Sequence, residues 1–197
     1  MKKYELALET EKEFFGIKMY KVRALKSFYN VSEGDLGGYI EKEDNLSQDG
    51  NCWVYGDAQV YGNALIYGNA LIYGNARVLD SAHVCGNAQV YGNACVFDIA
   101  HVSNSAQVSG NARVLDSAQV LDSAHVYSNA QVSGYAQVLD SAQVSGNARV
   151  LDSAQVFDSA HVYGDAQVSG SVHVRGNAQV YGDALIYGNA LINGKSR

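Results

Sequence analysis

Five histidines, His83, His101, His125, His161 and His173, each stand immediately before a valine in this 197-residue chain. Imidazoles at such positions could serve as general bases near neutral pH. Seven aspartates fall into two series: Asp80, Asp98, Asp116 and Asp152 in one, Asp122, Asp140 and Asp158 in the other. Within each series one interval recurs, doubled only between Asp116 and Asp152. Ranked carboxylates could hold cations, and Cys52, Cys85 and Cys95 could offer thiolates.

None of these chemistries is completed by its neighbours. The cysteines have neither metal-ligand spacing nor an even disulfide set, which points to reduced, unpaired thiols. The aspartates lack the dense ligand loops of calcium repeats. Every histidine sits at the same outward position of a repeat, with no inserted loop to desolvate it and no positioned partner. A phosphate-cradling GxxxxGK motif does not occur. We therefore expect no catalytic residue, no metal and no cofactor. A net charge of −6 argues against direct nucleic-acid binding, which needs a basic surface, and permits a basic partner. No apolar run approaches the ~20 residues of a membrane helix. The opening "MKKYELALETEKEFF" lacks a signal-peptide core, so a cytoplasmic protein without membrane contact is expected.

The interval is the stronger signal. "GNARVLDSAQV" occupies 110–120 and returns at 146–156, with "GNARVLDSAHV" at 74–84, so the same phrase recurs at one fixed spacing. From residue 52 the chain reads as 24 hexads: a small residue, any residue, an aliphatic, any residue, then two corner residues. The aliphatic is Val or Ile every time, from Val54 to Ile192. The small residue is alanine except at Cys52 and Val172. Alternation within "A-x-V-x" is the period of a strand with Ala and Val facing inward. Gly-Asn, Gly-Asp and Asp-Ser pairs are turn formers. Strand, corner, strand, corner makes a chain that coils, and a period of six rules out a helix.

These hexads, "VYGNAQ" and its variants, resemble the hexapeptide repeat of left-handed parallel β-helices. The resemblance implies an all-β, single-stranded, left-handed parallel β-solenoid of about eight triangular coils, three hexads to a coil. With "EGDLGGYIEKEDNLSQDGNCWVYGDAQVYGNA" included, the chain is similar to uncharacterised solenoids of bacteria and their phages, sometimes labelled acetyltransferases, which implies a phage or prophage source. Hexapeptide acyltransferases bind acyl-CoA between neighbouring prisms beside a histidine base, so that is the enzyme class worth testing.

Sorting outward residues by coil gives three walls. The first carries Tyr55, Tyr73, Tyr91, Tyr127, Tyr163 and Tyr181, with Ser109 and Ser145 interrupting and Trp53 beside it. This stripe reads either as a stabilising aromatic ladder or as an interaction wall. The second wall carries Arg77, Arg113 and Arg149, and the third carries His83, His101 and His173 among glutamines. The two aspartate columns occupy the corners flanking the third wall. They read first as turn chemistry, and second as an imitation of nucleic-acid phosphates that would inhibit a basic, nucleic-acid-binding host protein.

Residues 1–50 escape the hexad rule and hold 18 of the 34 charged residues, which suggests a β-hairpin cap before a solenoid spanning 51–197. Leu185, Tyr187 and Leu191 make an apolar end, with Lys195 and Arg197 as charged gatekeepers against stacking. The expectation is a non-catalytic scaffold that dimerises through that end or the tyrosine wall and binds an unidentified protein.

Overall fold

The computed structural model describes residues 2–194; Lys195 and Arg197 lie outside the described residues. β1 (Tyr4–Phe14) and β2 (Ile17–Ala24) form an antiparallel hairpin, and β3 (Leu36–Ile40) pairs antiparallel with β2. Strands β4 (Trp53–Val54) to β27 (Leu191–Gly194) follow, nearly all of them two residues long. Among the described residues none is in an α-helix.

The short strands stack into three parallel sheets, each adding one strand per coil. Register is uniform: Gln89 lies on Gln107 and Val90 on Val108, so every partner is three hexads away. Eight coils come from these strands. A ninth turn lies beneath them, because Ile40 pairs in parallel with Val60 and Leu46 bridges Ile66. That turn takes slightly more chain than a regular coil, as Ile40 to Val60 against Val60 to Val78 shows. The excess lies wholly between Leu46 and Val54, in the loop before Cys52, because the 3-10 turn Glu43–Asn45 sits in a stretch, Ile40 to Leu46, as long as Val60 to Ile66. Asn45 holds that turn in place, its amide donating to the carbonyls of Gly62 and Ala64 at 3.1 and 3.0 Å.

Inside, alanine and valine columns are solvent-free over most of the rod, from Ala58 and Val60 to Val174. A small residue facing a β-branched one fills a narrow triangular bore without voids. At the corners the chain turns through the left-handed region, which glycine tolerates and aspartate visits with help from its side chain. Asp80, Asp116 and Asp140 all turn there, with φ of 59°, 58° and 56°.

The hairpin folds over the first coil. Tyr4 and Phe28 meet Trp53 edge-on at 6.2 and 5.3 Å. Close approach explains "GG" before Tyr39: a Cβ on Gly38 would lie 2.6 Å from Val54 Cγ1 and 2.7 Å from the Ala58 carbonyl oxygen. Beneath this lid Lys3 is buried. Its ammonium donates to the Cys52 carbonyl at 3.0 Å and to Cys52 Sγ at 3.3 Å, with the Asp49 and Gly50 carbonyls just beyond.

Candidate interaction surfaces

The first wall is a ladder of rings and amides. Tyr73 and Tyr91 stack with centroids 4.8 Å apart and planes 1° from parallel; Tyr163 and Tyr181 stack at 5.3 Å and 14°. Four hydroxyls reach the glutamine of the next coil: Tyr73 to Gln89 at 2.9 Å, Tyr91 to Gln107 at 3.2 Å, Tyr127 to Gln143 and Tyr163 to Gln179 both at 3.4 Å. The rings therefore lean across the wall and cover it. Burial pushes the Tyr55 and Tyr73 phenols above their ordinary range. Trp53 requires a correction. It is 1 % exposed, because the hairpin returns over it, so it anchors the cap and does not belong to an accessible wall.

Where Ser109 replaces tyrosine, the ladder opens into a notch of about 270 Å³ between Tyr91 and Tyr127, edged by Gln107, His125 and Gln143. Ser145 is the matching gap between Tyr127 and Tyr163. Tyr127 thus stands alone, 36 % exposed. The alternation is readable in the column of residues, but only the leaning rings turn a missing tyrosine into a recess. A second cleft of about 240 Å³ lies under Tyr29 in the cap, against Asn69, Leu71 and Gln89.

On the second wall two of the arginines lie near aromatic rings. The Arg77 guanidinium is 5.7 Å from the Phe15 ring centre, and that of Arg113 is 5.3 Å from Phe97. Cys95 is buried between these arginines, and burial raises its thiol despite them. On the third wall His83 and His101 are neighbours at 4.8 Å, and burial, helped by His101, lowers the His83 pKa. Gln155 donates to Gln137 at 2.8 Å and Gln137 to Gln119 at 3.1 Å. His125 and His161 lie instead on the first wall.

Each aspartate of the two columns has a backbone task. Asp80 accepts the N–H of Asp98, Asp98 that of Asp116, and Asp116 that of Gly134, at 3.3, 3.0 and 2.9 Å. Asp152 accepts that of Gly170 at 2.9 Å. In the other column Asp122, Asp140 and Asp158 accept the N–H groups of Asp140, Asp158 and Gly176 at 3.5, 3.0 and 2.9 Å. One carboxylate oxygen of every column member thus ties its corner to the next coil. The remaining corner does the same with amides, Asn75 to Asn93 to Asn111 to Asn129 to Asn147, at 2.9 to 3.3 Å. Among the described residues no group of three or more His, Cys, Asp and Glu side chains is placed to hold a metal ion. No helix among them is long and apolar enough to cross a membrane.

The far end differs. Tyr181, Leu185, Tyr187 and Leu191 are 60, 64, 75 and 55 % exposed, and the inward residues Ile186 and Ile192 are only partly buried. Among the described residues, strands β25 (Gln179–Val180), β26 (Leu185–Ile186) and β27 are the last in their sheets.

Five stretches of the chain, 58–71, 70–86, 106–122, 142–158 and 178–192, match the YdcK β-solenoid repeat. Over those stretches, about two fifths of its length, the chain is similar to β-solenoid repeats of the YdcK type. It is also similar to a protein of Escherichia coli (strain K12) named "Uncharacterized acetyltransferase YdcK", with 32 % identity over 62 residues. That match covers 28 % of this chain and 19 % of the relative, so the chain spans under a fifth of that protein's length.

Proposed function

We propose that this solenoid is a non-catalytic scaffold, working by presenting ordered surfaces to a second copy of itself and to another protein. The observation that carries the reading is the way polar side chains are used. Aspartates, asparagines, glutamines and tyrosines are bonded along the rod in coil-to-coil ladders, which hold rigid walls rather than converge on a reacting centre. Rigid, flat walls lose little entropy on association. The exposed tyrosine and leucine side chains at the far end and on the first wall are of the kind that anchor contacts.

Light scattering on the full chain tests this, run beside an acetyl-CoA turnover assay. A discrete mass above one chain with no turnover supports the scaffold. Turnover that vanishes in His83→Gln or His125→Gln would overturn it.

An acyltransferase is the second reading, favoured by the printed name of the relative and by the paired His83 and His101. The imitation of phosphates by the aspartate columns draws less support, since one oxygen of each carboxylate is engaged by a backbone N–H.

A further inference from the structure

The first wall alternates in its middle: Tyr91, Ser109, Tyr127, Ser145. Read from the other end, the same four rungs are serine where they were tyrosine. A wall with this pattern is complementary to itself when two copies meet face to face with their axes antiparallel, about a two-fold axis running along the strands. Rung 127 then faces rung 109 of the second copy, and rung 91 faces rung 145.

Geometry fits the exchange. Tyr73 and Tyr91 show that adjacent rungs stack rings at 4.8 Å. Tyr91 and Tyr127 are two rungs apart, roughly 10 Å, so one planar ring fits between them in contact with both. The recess at Ser109 has the volume and the neutral amide edge that a phenol needs. Charge fits as well. From Leu71 to Tyr181 the outward residues of this wall include no Asp, Glu, Lys or Arg, in a chain of net charge −6. At the wall's edge the same two-fold sets Asp122, Asp140 and Asp158 against Asn104, Gly86 and Gly68, so the acidic half of one corner meets the neutral half of the other. A parallel pairing would set every tyrosine rung against a tyrosine rung and every serine rung against a serine rung. Its notches would stay unfilled and their linings would lose contact.

We propose that the first wall is the dimer interface of this protein, with Tyr127 of each copy seated in the Ser109 notch of the other. The proposal rests on the scaffold reading and gives it a register.

Sedimentation velocity on the wild type, Ser109→Tyr, Tyr127→Ser and the double variant tests it. The first variant fills the notch and the second removes the key. Each single change is expected to weaken dimerisation about tenfold or more, while the double variant, in which key and notch trade places, returns to within about threefold of wild type. Circular dichroism confirms the fold, and Ser109→Tyr only continues the existing ladder. A wild-type dimer indifferent to both single changes, or a double variant weaker than either single, overturns this interface and leaves the scaffold reading intact. A wild type that stays monomeric at every concentration overturns both.

Discussion

The two ends of the described rod are covered to different degrees. Any solenoid ends in three strands whose outer N–H and C=O groups lack a neighbour. At the N-terminal end a ninth turn, a hairpin and a loop close the bore, leaving Ile40, Trp53 and Val54 at 0–1 % exposure. At the other end Leu185 and Leu191 are more than half exposed, and Ile186 and Ile192 receive only partial cover. Identical hexads therefore carry different weight according to what lies beyond them, and stability should grade along the rod.

The largest effect should come from removing the cap's anchor. Trp53→Ala deletes the ring on which Tyr4 and Phe28 pack and should cost about 3–5 kcal/mol, read from denaturant midpoints. Next, the same truncation made at both ends sharpens the contrast. Ile66→Ala, in a buried site, should cost about 2–5 kcal/mol, and Ile192→Ala well under half of that. Equal costs would mean that the far end is covered in solution.

A smaller effect separates the two jobs of a corner aspartate. Asp116 turns at φ 58° and accepts the Gly134 N–H. Asp116→Ala loses the bond and keeps a Cβ in the left-handed region, costing about 2 kcal/mol; Asp116→Gly loses only the bond, costing about 1 kcal/mol or less.

The smallest effect is a pH dependence of the cap. Burial holds the Cys52 thiol above its ordinary 9.0 and the Tyr4 phenol above 10.0. An opened cap would release both protons first. Its stability is therefore full below about pH 9 and falls as pH rises through the folded values. Lys3, bonded to Cys52, opposes the loss, since burial lowers its pKa. Trp53 fluorescence should report cap opening on alkaline titration. Cys52→Ala, which sets the alanine of most other hexads there, should reduce it and leave the Tyr4 contribution.

Much of this is legible in the residues. The Val and Ile of every sixth position dictate the strands, and Gly-Asn and Asp-Ser pairs dictate the corners, because both are local rules of period and turn chemistry. The face carried by each outward residue follows from counting three hexads at a time. The ninth turn is not legible, since "EKEDNLSQDGN" replaces hexads with a turn held by Asn45. The burial of Trp53 and Lys3 is hidden too: it depends on a hairpin folding back from elsewhere in the chain, which no spacing encodes. Ser109 is visible as a substitution, and its meaning comes only from how the flanking rings lean.

The most direct test is the shape of the assembly, by small-angle X-ray scattering of the full chain. The account predicts a dimer with nearly the length of one rod and about twice its cross-section, because the walls overlap over most of their length, up to the cap that covers Trp53. A dimer of doubled length, joined at Leu185, Tyr187 and Leu191, or a lone monomer, would contradict it.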